Sequence, residues 1–283
     1  MTWRLGIIGH PVAHSLSPVF QQAAFDACAI DARYERWDTP PVSLPDRVAS
    51  LRAADVLGAN VTIPHKEAVL PLLDELDAAA ALVGAVNTIL VRGGRLIGWN
   101  TDGPGFVRAL RESAHFEPAG RRFLLVGAGG AARGIAFALA SAGASGIAVW
   151  NRSPQRATAL AEDLRRAVPS IAVELCPALD DLRGFDAVVN CTSVGMEGTG
   201  SEAALPFDPR STGSDCLIVD IVYKPETTAL LRAAAAAGRP VLGGLPMLIY
   251  QAALAFELWT GRPAPVDVMF AAARAALAAT PQP

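Results

Sequence analysis

Residues 127–132 read Gly127-Ala128-Gly129-Gly130-Ala131-Ala132, a Gly-x-Gly-x-x-Ala turn directly after the apolar run 122–126. Between a strand and a helix, such a turn suits a dinucleotide pyrophosphate. The first glycine makes the tight bend, the second lets phosphate approach the backbone, and the small last residue keeps helix and strand close. The helix N-terminus then faces the phosphates. The next apolar run ends in Asn151-Arg152-Ser153, with Arg156 one turn on. An NAD site places a carboxylate here against the ribose 2′-hydroxyl, whereas guanidinium forks suit a 2′-phosphate. The pattern favours NADP over NAD, and hence redox chemistry on a small molecule.

A second set of polar residues lies in the first hundred positions. In His14-Ser15-Leu16-Ser17-Pro18, Pro18 suits the first helical position and Ser17 the N-cap. Ser15 and Ser17 are two apart, so an extended segment points both hydroxyls one way. Two hydroxyls beside a helix N-terminus suit a carboxylate; capping accounts for Ser17 but leaves Ser15 unexplained. In Asn60-Val61-Thr62-Ile63-Pro64-His65-Lys66, alternation puts Asn60 and Thr62 on one side of a strand end. Pro64 then turns the chain into a helix predicted over 65–73, with Lys66 in its first turn. The helix dipole disfavours a cation there, which points to acid–base work for Lys66. Asn87 and Asp102 fall at strand–loop junctions, where α/β folds gather ligands, although an Asp before Gly103-Pro104-Gly105 is also an ordinary turn former.

The elements that must hold these residues alternate. Strands are predicted over 5–8, 33–37 and 57–62, with helices over 18–30, 43–53 and 77–82. The runs 88–92 and 95–99 flank Gly93-Gly94, which is hairpin chemistry. From residue 103 a helix opens a second series, with strands over 122–126, 146–150, 171–175, 187–190 and 217–221. Helices over 130–142, 154–168 and 228–237 separate them, and an apolar helix over 247–259 follows a short strand at Val241. Strands alternating with helices predict an α/β protein with parallel sheets. Residues 195–214 form the best candidate for a flexible loop.

Composition narrows the class. The 283 residues carry 24 Lys and Arg against 27 Asp and Glu, for a net charge of −3; 52% are apolar and 18% charged. So apolar a chain can offset its ordering entropy, which excludes disorder, and it lacks the basic excess of a nucleic-acid binder. The longest uncharged stretches are broken by Pro, His, Ser and Gly, so no membrane span is expected. The start lacks a signal-peptide layout. Cys28, Cys176, Cys191 and Cys216 are scattered, which suits small buried hydrophobes rather than metal ligands or disulfides. A cytoplasmic protein without a metal is the expectation.

Taken together, the blocks resemble the shikimate dehydrogenase family. They are Ser15-Leu-Ser17-Pro, Asn60-Val-Thr-Ile-Pro-His-Lys66, Gly84-Ala-Val-Asn87-Thr, Asn100-Thr-Asp102-Gly, the Gly127 turn, Asn151-Arg152-Ser153, Asp220-Ile-Val-Tyr223-Lys-Pro225 and Leu245-Pro-Met-Leu-Ile-Tyr-Gln251, in order along nearly the whole chain. The resemblance implies NADPH-dependent reduction of 3-dehydroshikimate to shikimate, a step in aromatic amino acid biosynthesis. It implies an N-terminal substrate domain with a mixed, mainly parallel sheet over 1–102, completed by C-terminal helices over 245–283. A Rossmann-like NADP-binding domain then occupies 103–244. Ser15, Ser17 and Tyr223 would hold the carboxylate, and Asn60, Thr62, Asn87 and Gln251 the hydroxyls and carbonyl. Lys66 would deliver the proton, with Asp102 orienting it. Gly127, Ala128, Gly129, Gly130, Ala131, Asn151, Arg152, Ser153, Arg156, Thr192, Ile221, Gly244 and Met247 would line the cofactor, in a monomer or homodimer.

Two departures bear on substrate choice. The family's usual Asp-Gly-Leu-Gly-Met-Leu block is Gly243-Gly244-Leu245-Pro246-Met247-Leu248 here, where Pro246 stiffens the segment. Tyr250 stands where smaller residues or His are common. A paralogue acting on quinate or an amino-substituted analogue is the competing reading. A catalytically silent ligand-binding regulatory domain is a further one.

Overall fold

The structure, a computed structural model, describes residues 1–279. The chain divides into two compact units, Met1–Thr101 with the segment from Ile249 onward, and Asp102–Leu248.

The first unit opens with β1 (Trp3–Gly9), α1 (Ser17–Ala27), β2 (Ala32–Asp38), α2 (Leu44–Ser50) and β3 (Val56–Val61). The two-residue β4 (Glu75–Leu76), α3 (Ala78–Val83), β5 (Thr88–Arg92) and β6 (Arg95–Trp99) follow. Its sheet runs β2-β1-β3-β5-β6-β4. The β1 pairings are parallel, and β5 is antiparallel to both β3 and β6. Gly93 and Gly94 take positive φ of 58° and 76°, which makes the two-residue turn between β5 and β6. Asp77 caps α3 by accepting the Ala79 N–H, and Gly84 ends it at φ 69°. One core cluster gathers Ile8, Trp37, Leu44, Val61, Ile89 and Leu96 against the sheet.

The second unit runs α4 (Asp102–Ala114), β7 (Arg122–Val126), α5 (Gly130–Ser141), β8 (Gly146–Trp150), α6 (Pro154–Ala167) and β9 (Ala172–Leu175). It continues with β10 (Ala187–Asn190), β11 (Leu217–Asp220), α7 (Ala229–Ala236) and β12 (Val241–Leu242). The order β12-β11-β10-β7-β8-β9 is parallel throughout. The chain reverses its direction of travel between β7 and β10, the switch point of a doubly wound nucleotide-binding sheet. Central strands here are buried on both faces, as in Phe123 to Val126 and Ala187 to Asn190, so they read as continuous apolar runs. Two further helices, α8 (Gly244–Thr260) and α9 (Val266–Ala279), close the described chain.

Two expectations are corrected. The helix predicted over 65–73 does not form: only the three-residue 3-10 turn Leu70–Leu72 is regular there. The Lys66 carbonyl, which a helix would give to residue 70, accepts the Val86 N–H at 2.8 Å. Pro71 has no N–H to extend a helix from Glu67. The dipole argument for Lys66 therefore falls, and its place in a turn rests on this bond to Val86. Ser17 is also not the N-cap. Leu16 holds that position without a side-chain bond, and Ser15 Oγ accepts the Ser17 N–H at 3.2 Å.

Candidate active site

In the first unit, the candidate residues gather where β1, β3, β5 and β6 end. Asn87 is the hub. Its side-chain Oδ1 accepts the Thr101 N–H at 2.7 Å, and its Nδ2 donates to Thr101 Oγ1 at 2.9 Å and to Gln251 Oε1 at 3.2 Å. Thr88 donates its hydroxyl to Asn87 Oδ1. Gln251, far along the chain on α8, is thus brought to Asn87.

Asn60, 5% exposed, has both ends of its amide engaged. Tyr34 donates its hydroxyl to Asn60 Oδ1 at 2.7 Å, and Asn60 Nδ2 donates to Asn87 O and Thr88 Oγ1. Burial pushes the Tyr34 phenol well above its ordinary pKa, so it stays a proton donor. This geometry makes Asn60 a strut behind Asn87. Thr101 and Tyr34 are the polar partners that sequence reasoning missed. Thr101 lies inside the Asn100-Thr101-Asp102 block, and Tyr34 is an inward position of alternating β2.

Thr62 follows the end of β3, and its hydroxyl makes no hydrogen bond among the described residues. Ser17 is buried and Ser15 half-buried at the start of α1. Gln21, one turn after Ser17 and fully buried, donates to Ala252 O at 3.0 Å and so fixes α1 against α8 beside Gln251. The turn carrying Lys66 is anchored through His65, whose Nε2 lies 2.6 Å from Thr39 O. Lys66 itself is half-buried.

In the second unit, Gly127 takes φ +119° and its N–H donates to Trp150 O at 2.7 Å. A Cβ there would press on the Cys191 carbonyl, so β7 and β10 meet at a position that tolerates only glycine. Around Gly129 and Gly130 a Cβ would meet nothing within 4 Å. That open space, with the unpaired first-turn N–H groups of α5 around Ala131, is what a pyrophosphate needs. Ala132 is fully buried. Asn151 Oδ1 accepts the Ala128 N–H at 3.2 Å and Asn151 Nδ2 donates to Ser153 O at 3.0 Å. Asn151 therefore shapes both loops, and the Ala128 N–H is already committed.

Arg152 and Arg156 are exposed at the end of β8 and the start of α6, with Ser153 between them in sequence. Neither guanidinium has a hydrogen bond or ion pair among the described residues. Nearby Arg133 differs, pairing with Asp163 at 2.6 Å.

At the ends of β10 and β11, buried Asp220 accepts from Asn190 Nδ2, Val222 N–H and Thr228 Oγ1. Burial pushes its carboxyl pKa up against those three donors. Thr192 donates its hydroxyl to Asn190 Oδ1 at 2.7 Å. Gly244 packs so closely on Ile221 that a Cβ would collide with the Ile221 carbonyl. Burial also raises the Tyr223 phenol pKa, which keeps it protonated. Asp102 is the first residue of α4 and 8% exposed. Pro246 and half-buried Met247 sit in the first turn of α8, where proline is tolerated. Tyr250 stacks edge-on against Phe270 of α9, with centroids 5.6 Å apart.

Comparison with known proteins agrees with this architecture. A family model described as the shikimate dehydrogenase substrate binding domain matches residues 7–89. One described as shikimate / quinate 5-dehydrogenase matches 110–228, and one described as the shikimate 5′-dehydrogenase C-terminal domain matches 244–274. A protein of Symbiobacterium thermophilum named shikimate dehydrogenase (NADP(+)) is 48% identical over 282 residues, covering 98% of this chain and 95% of its own. The chain belongs to the shikimate dehydrogenase family. A solved shikimate 5-dehydrogenase of Thermus thermophilus, in complex with NADP(H) and shikimate, superposes with a TM-score of 0.88 at 43% identity. That match covers 97% of this chain and all of the other, 100%. The quinate dehydrogenase of Corynebacterium glutamicum, in complex with NAD, gives 0.89 at 34% identity, covering 97% and 99%. The chain thus spans nearly the whole length of both solved structures.

Proposed function

We propose that the chain is an NADP-dependent shikimate dehydrogenase that reduces 3-dehydroshikimate to shikimate. The observation that carries the cofactor choice is the pair Arg152 and Arg156, unpaired at the end of β8 where an NAD site would present a carboxylate. The open backbone around Gly129 and Gly130 fits the pyrophosphate. In this reading Thr192, Ile221, Gly244 and Met247 complete the cofactor wall. NADPH, when bound, supplies the hydride.

The chain's own residues supply the rest. Ser15 and Ser17 present hydroxyls at the start of α1 and, with the protonated phenol of Tyr223, receive the substrate carboxylate. Thr62, Asn87 and Gln251 receive the ring hydroxyls and the carbonyl. The Asn87 amide is fixed by Thr101, so its orientation needs no reorganisation on binding. Lys66 delivers a proton to the substrate oxygen as a general acid. Asp102, paired with it in the family pattern, orients Lys66 for that transfer.

Four free cysteines support the reading of a cytoplasmic enzyme. We read it as a monomer or homodimer. The test is direct: the purified protein given shikimate and NADP+ forms NADPH. A protein that binds shikimate without forming NADPH would instead be the regulatory domain named above.

A further inference from the structure

Lys224 makes two contacts with one residue of a distant loop. Its ammonium lies 3.0 Å from the Glu197 carboxylate, with the side chains 30% and 32% exposed. Its carbonyl accepts the Glu197 N–H at 2.9 Å. The loop bearing Glu197 is itself secured. Asn190 Nδ2 donates to Val194 O, Thr192 Oγ1 accepts the Val194 N–H, and the Gly195 N–H donates to Ser201 O. Farther out, the Glu202 carboxylate accepts the N–H groups of Gly198, Thr199 and Gly200.

On the other side of Tyr223, the Val222 N–H donates to Asp220 Oδ1 at 3.1 Å and the Val222 carbonyl accepts the Gly244 N–H at 3.3 Å. Tyr223 lies between a neighbour fixed to β11 and a neighbour fixed to the loop. Its own N–H, carbonyl and phenol make no hydrogen bond among the described residues. The direction of the phenol is therefore set through Val222 and Lys224.

We infer that Glu197 is a positioning residue for the reaction: through Lys224 it fixes the chain after Tyr223, and with it the phenol that receives the substrate carboxylate. This rests on the reading of Tyr223 given above. It assigns Lys224 to Glu197 and not to the substrate, although an ammonium beside a carboxylate-binding phenol would be an obvious ligand.

Steady-state kinetics of Glu197→Gln, Lys224→Met, the charge-exchanged E197K/K224E and Tyr223→Phe tests it. Each single change at the ion pair raises KM for shikimate by about fivefold, the scale of a partly shielded pair. The value of kcat stays within about twofold and KM for NADP+ is unchanged, because positioning through Tyr223 acts on substrate binding. The exchanged pair restores KM toward the parent value, which a merely structural defect would not do. A parental or lowered KM in Glu197→Gln overturns the inference; a lowered value would mean that freed Lys224 binds the carboxylate directly. Failure of the exchanged pair to recover overturns it too. Tyr223→Phe separates the two layers. If it raises KM while Glu197→Gln does not, this inference alone fails. If it leaves KM unchanged, the reading of Tyr223 fails and the inference with it.

Discussion

Lys66 sits in a turn, held by the Val86 N–H that its carbonyl accepts and by His65 against Thr39. If it is the general acid, Lys66→Ala lowers kcat by roughly 10²-fold or more, with little change in KM; kcat within threefold of the parent would remove it from the mechanism. Losing a charge-assisted contact to a phosphate costs about tenfold or more in affinity. Arg152→Ala therefore weakens NADPH by that factor and leaves NADH nearly unaffected; equal loss for both contradicts the 2′-phosphate assignment. The two arginines were legible because they break a local rule, standing where a carboxylate is usual, whereas Lys66 was singled out on a helix that does not form. Asn60 and Asn151 were legible as polar positions but not as struts. Their amides are engaged by Tyr34 and Thr88, and by Ala128 and Ser153, and those partners are set by the fold. Glu197 and Lys224 gave no signal, because only tertiary structure brings them together.

At the scale of elements, what was local was readable. Gly93-Gly94 demanded a two-residue turn, and Gly127 demanded a positive φ beside the end of β10. The missing helix over 65–73 and the short β4 were not readable, because the first is prevented by Val86 on another segment and the second exists only through pairing with β6. Gly58 in β3 illustrates a constraint of this kind. A Cβ there would strike the Ile89 carbonyl and the Trp259 indole, whose Nε1 donates to Ile89 O at 3.0 Å and ties α8 to β5. Gly58→Ala should destabilise by about 1–3 kcal/mol or more, as overpacking does, read as a lower denaturation midpoint. A parental midpoint would show that the indole can move.

The hairpin of β5 and β6 carries a pH-dependent link as well. Asp74 takes Arg52 and the Leu96 N–H, and the Arg52 contact, with help from Leu96, holds its carboxyl down at about 2. A depressed carboxyl pKa means that the folded state binds this proton less tightly than the unfolded chain. The link is thus fully present above about pH 4 and is lost as pH falls toward about 2. Asp74→Asn should flatten stability over that window; an unchanged slope would place the dependence elsewhere.

For the whole molecule, one unit carries a mixed sheet and the other an all-parallel one, and the family model described as a substrate binding domain matches the first. Part of the high apolar fraction lies in strands covered on both faces, such as Phe123 to Val126 and Ala187 to Asn190. Net charge concealed the chemistry: a balance of −3 says nothing of two unpaired guanidinium groups at one loop. Pro246 sits in a helical first turn, and Tyr250 packs on Phe270. The relatives named shikimate dehydrogenase (NADP(+)) favour shikimate over quinate, although a quinate dehydrogenase shares the fold. The measurement that tests this most directly is kcat/KM for shikimate and for quinate, each with NADP+ and with NAD+, on the purified protein. The highest value is expected for shikimate with NADP+. A higher value with quinate, or equal use of NAD+, would contradict it.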